Sequence, residues 1–349
     1  MNYARTILQD VEGYTPGEQP QGDGFIKLNT NENPYPPSPR VVEAIRTYAD
    51  EAMRKYPDPL AVKFRAACAK RYGFAGPEWV FAGNGMDEVL AMAVRAFVDP
   101  DDTILSVDPT YTLYETLATL HGAAYQSVEL TEDFKLPEAF FNAKARLCFL
   151  PRPNAPSGVP ATRAEIERFC REFGGIVVID EAYADFAGDN CMDLVRRLDN
   201  VIVGRTFSKS FSLAGMRLGI GCANTDILAE FFKTKDSYNV NGVTQAAGLA
   251  AISDYDYMLQ SVRKIRETRS RMTEGLRKLG FDVPDSQTNF VLASYRRPPG
   301  ARGVYERLKE RRILVRYFDT PRLQNSLRIS VGTDAETDAL LTALREILT

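Results

Sequence analysis

The sequence predicts an α/β fold, with a mainly parallel sheet in a large domain and a smaller α+β domain after it. Three observations carry this: short apolar runs recur through the middle of the chain, helical patterns separate several of them, and the last third turns to long helices followed by shorter strands. Strands that alternate with helices pair in parallel, because each crossover returns the chain to the same end of the sheet. Helices then cover both faces, so the strands read as continuous apolar runs.

Taken in order, the first 50 residues form an arm crowded by Pro16, Pro20, Pro34, Pro36, Pro37 and Pro39. Proline fixes φ and removes an N–H, so this arm is irregular up to a helix expected over 39–53. Strands are expected at 79–82, 103–107, 146–150, 176–179, 201–204 and 218–222. Apolar residues at three- and four-residue spacing predict helices over 86–97 and 163–173. After Asn239 comes a long helical region, then strands near 289–293, 313–315 and 327–330 and a closing helix over 335–348. The expected division is an arm at 1–50 that adds to the small domain, a large domain at 51–238 and a small domain at 239–349.

The 349 residues are 44% hydrophobic and 26% charged, enough to bury a large core in two lobes. With 43 basic and 46 acidic residues the net charge is -3, and no basic run offers a nucleic-acid footprint. An anionic ligand must therefore be met by a local site. Cys68, Cys148, Cys170, Cys191 and Cys222 are odd in number and form no CxxC pair, which suits a reducing compartment. His121 is the sole histidine and stands in Leu120-His121-Gly122, a surface or helix-end setting that gives no metal site or Ser-His-Asp relay. Residues 1–10 hold Arg5 and Asp10 and no signal-length apolar stretch, and no uncharged run nears ~18 residues. The expectation is a cytoplasmic protein with no membrane or nucleic-acid partner.

The strongest local signal runs from Thr206 to Gly219, directly after the expected strand at 201–204. It gathers Thr206, Ser208, Lys209 and Arg217 at a strand's carboxyl end. A lysine that condenses with an aldehyde needs a fixed approach, and a neighbouring phosphate needs hydroxyl donors and a delocalised cation. A second signal, Val177-Val178-Ile179-Asp180-Glu181-Ala182-Tyr183, is a buried strand ending in an acid. Asp180 there can pair with a protonated ring nitrogen, and Tyr183 can reach a ring oxygen. An apolar run ending in acids also suits a nucleotide hydrolase. That reading needs a Gly-Lys-Ser/Thr phosphate loop, and Gly204-Arg205-Thr206-Phe207-Ser208-Lys209-Ser210 has Ser208 where the second glycine belongs.

A third signal, Ala82-Gly83-Asn84-Gly85-Met86-Asp87-Glu88, is a glycine turn opening a helix whose first N–H groups can hold a phosphate. As a dinucleotide fingerprint it fails, because Glu88 replaces the third glycine. Tyr111 follows the expected strand at 103–107 and can stack on an aromatic cofactor or serve the core. Asn154 follows another strand end. Arg328, inside the apolar run Leu327-Arg328-Ile329-Ser330, calls for a carboxylate or phosphate partner.

Together these segments resemble the class II aminotransferases of fold type I, which use pyridoxal 5'-phosphate (PLP), and within them the histidinol-phosphate aminotransferases. The motifs run nearly end to end: Leu28-Asn29-Thr30-Asn31-Glu32-Asn33-Pro34, Arg54-Lys55-Tyr56-Pro57-Asp58-Pro59, Gly83-Asn84-Gly85-Met86-Asp87-Glu88, Asp180-Glu181-Ala182-Tyr183, the Lys209 segment and Leu327-Arg328-Ile329-Ser330-Val331-Gly332-Thr333. The resemblance implies that Lys209 holds the cofactor covalently, Asp180 pairs with its ring nitrogen, Tyr183 contacts the ring oxygen and Tyr111 stacks on the ring. Gly85, Met86, Asp87, Thr206, Ser208 and Arg217 are implied at the cofactor phosphate, and Tyr56 at that of a homodimer partner. Arg328, with Tyr14, Asn33 and Arg316, is implied on the substrate side.

One departure stands out. Where many such sequences have Asn-Asn-Pro-Thr-Gly, this chain has Asn154-Ala155-Pro156-Ser157-Gly158, so the cofactor-contacting amide would have to come from Asn154. The implied reaction moves an amino group from a small-molecule donor, histidinol phosphate, to 2-oxoglutarate. An aromatic amino-acid aminotransferase, a decarboxylase of an amino-alcohol phosphate ester and a nucleotide-binding protein without PLP are the alternatives.

Overall fold

The computed structural model describes residues 3–8, 18–20, 22, 24–49 and 51–349. Its strands are β1 (Ile26–Lys27), β2 (Val80–Asn84), β3 (Thr103–Asp108), β4 (Ala124–Glu129), β5 (Leu147–Pro151) and β6 (Ile176–Asp180), then β7 (Val201–Thr206), β8 (Leu218–Cys222), β9 (Phe290–Ser294), β10 (Ile313–Leu314), β11 (Arg316–Tyr317) and β12 (Ser326–Ser330). Seven of them form one sheet in the order β2-β8-β7-β6-β5-β3-β4. Pairing is parallel from β7 through β6, β5 and β3 to β4, and β8 alone runs antiparallel to its neighbours β2 and β7.

The apolar runs are continuous because both faces of this sheet are buried. Side chains alternate across a strand. Val177, Ile179, Val201 and Val203 accordingly point into one core with Phe64, Cys68, Ile166 and Phe169. Their neighbours Val178 and Ile202 point into the other, with Val89, Leu90, Tyr114 and Phe231. Helices α1 (Pro39–Tyr48), α2 (Val62–Tyr72), α3 (Met86–Phe97) and α4 (Leu113–His121) come from the first third of the chain. α2 contributes Phe64 and Cys68 to the first core, while α3 and α4 contribute Leu90 and Tyr114 to the second.

The structure departs from the expected elements at identifiable places. The helix expected over 39–53 stops at Tyr48 and is followed by a single turn, Glu51–Arg54. β4 was not expected: at the sheet edge its Ala124, Gln126, Ser127 and Glu129 stay exposed, so no apolar run marks it. The strand expected at 313–315 ends at Leu314, and a second short strand, belonging to another sheet, follows after Val315. β10 pairs in parallel with β1, Ile26 opposite Ile313. β11 pairs antiparallel with β12, which in turn pairs with β9. The amino-terminal arm is thus tied to the carboxyl-terminal third, a link extended by Leu28 N–H donating to Leu314 O and Ser330 N–H to Leu28 O.

Because β3, β5, β6 and β7 are parallel, Asp108, Pro151, Asp180 and Thr206 end at one edge of the sheet, where ligands of open α/β folds collect. Among the described residues no helix is long and apolar enough to cross a membrane.

Candidate active site

A cavity of about 640 Å³ opens at this edge, closed on its other side by the Asn29–Asn31 stretch of the arm and by Arg316, Phe318 and Arg328. Lys209 enters it from the loop after β7, its Nζ donating to Thr30 O at 3.2 Å. Burial, reinforced by the positive charge of Arg328, lowers the Lys209 pKa to about 8. The loop is braced from behind: Asn33 Nδ2 donates to the carbonyls of Lys209 at 3.0 Å and Ser210 at 3.1 Å. Ser210 Oγ bonds Asp185 Oδ2 at 2.5 Å, and Asp185 pairs with Arg205 of β7 at 3.2 Å.

Asp180, the last residue of β6, lies across the cavity. Burial raises its pKa, and two hydrogen bonds to its carboxylate oppose that. Tyr114 O–H donates to Oδ2 at 2.7 Å and Ala182 N–H to Oδ1 at 3.0 Å. Tyr114 is fixed in turn by stacking on Phe149, ring centroids 4.8 Å apart. Tyr183 packs edge-on against Phe290 at 5.0 Å, and its hydroxyl accepts from Asn31 Nδ2 at 3.0 Å.

A third corner is cationic and rich in donors. α3 begins at Gly85 without a side-chain cap, which leaves the first N–H groups of Met86 and Asp87 for a ligand. Gly85 has φ +84°, and a Cβ there would come within 2.6 Å of Arg217 Nη2. At Gly219 a Cβ would lie 2.6 Å from Met86 N, so both glycines are required for this close approach. Arg217 donates to Ser208 Oγ at 3.4 Å and pairs with Asp87 at 3.1 Å. Thr206 Oγ1 accepts Ser208 N–H at 3.1 Å, which leaves the threonine proton for an acceptor in the cavity.

The fourth feature comes from the three-stranded sheet. Arg316 and Arg328 are direct partners in the β11-β12 register, and both line the cavity. Like charges directly opposite on antiparallel strands repel. Arg328 Nη2 donates to Asn29 O at 3.0 Å, and its guanidinium lies 5.5 Å from the ring centroids of Phe290 and Phe318.

Of the residues singled out from the sequence, Lys209, Asp180, Tyr183, Met86, Asp87, Tyr111, Thr206, Ser208, Arg217, Arg316 and Arg328 line this cavity. Gly85 shapes its floor, and Asn33 acts on it only through the Lys209 backbone. Asn154 stands back: its Nδ2 is spent on Pro109 O at 3.1 Å and Ser157 Oγ at 3.0 Å, while Ala155 forms the wall. Tyr56 is 81% exposed and stacks on Tyr238 rather than facing the cavity of its own chain. Tyr14 lies outside the described residues. Sequence reasoning passed over Asn31, Thr110 and Tyr114, all lining the cavity. Only Tyr114 carried a signal, its three-residue spacing from Tyr111.

The family model of aminotransferase class I and II matches residues 23–344. The chain belongs to the class I and II aminotransferases. Among its curated relatives in that family, the histidinol-phosphate aminotransferase of Microcystis aeruginosa is 46% identical over 346 residues, covering 99% of this chain and 98% of the relative. That of Geotalea uraniireducens is 47% identical, covering 98% and 99%. Among solved structures, histidinol-phosphate aminotransferase from Sinorhizobium meliloti in complex with pyridoxal-5'-phosphate superposes on this aminotransferase with a TM-score of 0.90 and 26% identity, covering 100% of this chain and 98% of that one.

Proposed function

We propose that this aminotransferase uses PLP to move the amino group of histidinol phosphate to 2-oxoglutarate, giving imidazole acetol phosphate and glutamate. The side chains suit PLP at four points. Lys209 is a buried amine whose pKa is lowered to about 8, so it holds and releases protons near neutrality. Asp180 offers a fixed carboxylate for a ring cation. Tyr183 offers a hydroxyl near Lys209. The Gly85–Arg217 corner, with Ser208 and Thr206, offers N–H, O–H and guanidinium donors for a phosphate.

When bound, PLP supplies a carbonyl that condenses with amines and a ring that takes up the electron pair left by a departing proton. In this chain Lys209 is the group placed to carry that proton between carbon atoms on its side of the cavity. Asp180 would pair with the protonated ring nitrogen, and Tyr114 keeps Asp180 in line by donating to Oδ2.

The observation that carries the donor assignment is the Arg316-Arg328 pair. Two guanidinium groups side by side suit a phosphate dianion better than they suit a single α-carboxylate. Phe318 between them favours an aromatic amino acid as the competing donor. A panel of amino donors assayed against 2-oxoglutarate separates the two, and highest turnover efficiency with histidinol phosphate is expected.

We further read the molecule as a large domain at 51–238 and a small domain at 239–349 joined by the arm, acting as a homodimer in the cytoplasm. The dimer rests on an apolar patch that includes Met53, Tyr56, Leu60, Val62 and Tyr238, all exposed in the single chain. From it Tyr56 reaches the partner's cofactor phosphate. The buried, unpaired cysteines support a reducing compartment.

A further inference from the structure

We infer that Asn31 is a positioning residue that fixes the direction of the Tyr183 hydroxyl, turning it into a dedicated hydrogen-bond donor toward the cofactor's ring oxygen. The inference rests on the PLP reading above and goes beyond it in assigning a role to a residue that touches Tyr183 on one side and the small three-stranded sheet on the other.

Asn31 is 2% exposed and holds a left-handed backbone, φ +55°, a conformation that asparagine tolerates better than most residues. Each of its polar groups is committed. Its N–H donates to Ser330 Oγ at 2.8 Å, and Ser330 Oγ donates back to Asn31 Oδ1 at 3.2 Å. Its carbonyl accepts from Asn289 Nδ2 at 2.9 Å. This closed exchange with Ser330 settles which end of the amide faces Tyr183. Turned over, the amide would place a second N–H on the Ser330 oxygen, which has a lone pair for it, but would strip the proton of Ser330, itself 2% exposed, of Oδ1 as its acceptor. Nδ2 therefore faces Tyr183 and donates to its oxygen at 3.0 Å.

A phenol has one proton. With Asn31 donating to its oxygen, Tyr183 must send that proton elsewhere, and among the described residues its hydroxyl donates to none. The cavity is the remaining direction. The ring packs edge-on against Phe290, and Lys209 Nζ lies 5.9 Å from the ring centroid. The cofactor's phenolic oxygen is carried on the carbon adjacent to the one bearing its aldehyde, so it lies near whatever carbon Lys209 holds. On the opposite wall stand Pro151, Pro153, Ala155 and Pro156, whose side chains have no donor, and Asn154 has its amide turned away. The burden of donating to that oxygen thus falls on Tyr183, and Asn31 guarantees that it donates.

A donor on the phenolic oxygen stabilises negative charge there, and that charge is largest when the Lys209–cofactor linkage has lost its proton. The donor consequently lowers the pH at which the linkage titrates, a change read directly in the visible absorbance of the holoenzyme. Titrating wild type, Asn31→Gly, Tyr183→Phe and the double variant tests this. Glycine accepts the left-handed backbone and keeps the N–H to Ser330. Asn31→Gly is expected to move the midpoint upward by about half a pH unit or more, in the same direction as Tyr183→Phe and by less. In the Tyr183→Phe background it is expected to add nothing. An unmoved midpoint, or an equal shift in both backgrounds, overturns the inference. Should Asn31→Gly not fold, Ser330→Ala replaces it, since it frees the amide to turn over. It is then expected to raise the midpoint by a smaller amount that also vanishes with Tyr183→Phe, and no shift overturns the inference. A wild-type protein with no visible titration removes the PLP reading itself, a result distinct from any difference among variants.

Discussion

Lys209 is the residue whose environment most contradicts its ordinary chemistry, since an ammonium buried beside Arg328 is held in its charged form only at a cost. Its pKa falls from 10.5 to about 8, so below pH 8 the folded apoprotein carries a penalty that the unfolded chain does not. Lys209→Met should therefore stabilise the apoprotein at pH 7 by roughly 3 kcal/mol at about 1.36 kcal/mol per pH unit. The gain should shrink as pH rises from 8 toward 10.5, where the unfolded lysine also loses its proton. Urea unfolding of both proteins at pH 7 and pH 10 checks this, and a gain independent of pH would point to packing rather than charge. At Asp180, Asp180→Asn keeps the shape and removes the negative charge. The variant should retain cofactor yet lose about 10²-fold or more in kcat/KM, the scale of losing one electrostatic partner in a dry site. Near-normal turnover would reduce Asp180 to a strand-end acid. Both residues were legible in the sequence because a lysine among hydroxyls and an acid closing an apolar run are unusual. Tyr114 and Asn31 were not. A buried tyrosine at helical spacing reads the same whether its hydroxyl serves Asp180 or the core. In Asn29-Thr30-Asn31-Glu32-Asn33 only the left-handed turn at Asn31 decides which amide faces Tyr183 and which braces Lys209.

The elements that present these residues are locked by charge buried beneath them. Glu181, directly after β6, is 1% exposed between Arg152 at 4.0 Å and Arg205 at 3.5 Å, and Arg205 continues through Asp185 to the Lys209 loop. Removing the central carboxylate leaves Arg152 with Asp189 at 2.6 Å and Arg205 with Asp185 at 3.2 Å, and takes from both buried guanidinium groups the charge they share. Glu181→Gln should cost about 3–5 kcal/mol of stability by urea unfolding, and a cost under about 1 kcal/mol would mean that water or other partners satisfy them. At the phosphate corner a Cβ on Gly219 meets backbone rather than a flexible side chain. Gly219→Ala should thus weaken cofactor retention, measured by dialysis and absorbance, while unchanged retention would argue against a phosphate held there. The strands of the large sheet could be read because burial on both faces leaves unbroken apolar runs. β4 could not, because an exposed edge carries no such run. The change of sheet at Val315 was equally hidden, since Val315 is as apolar as Ile313 and Leu314 and only the pairing of Arg316 with Arg328 reveals the switch.

At the scale of the whole molecule, the site draws on the arm, the large sheet and the small sheet at once, and in the proposed dimer the exposed Tyr56 would add a fourth source from a second subunit. Sedimentation should show a dimer, and Tyr56→Phe should loosen PLP without unfolding the chain. A fully active monomer would contradict the shared site. What the complete assembly is for comes down to the two opposed arginines of the small sheet. The most direct test is kcat/KM for histidinol phosphate and for phenylalanine, each with 2-oxoglutarate, in wild type and in Arg316→Ala. The wild type should prefer the phosphate ester, and the substitution should cost that donor roughly 1.5–3 kcal/mol, the worth of a hydrogen bond to a charged group, with a smaller loss for phenylalanine. A wild-type preference for phenylalanine, or equal losses for the two donors, would contradict the phosphate assignment and make this an aromatic amino-acid aminotransferase.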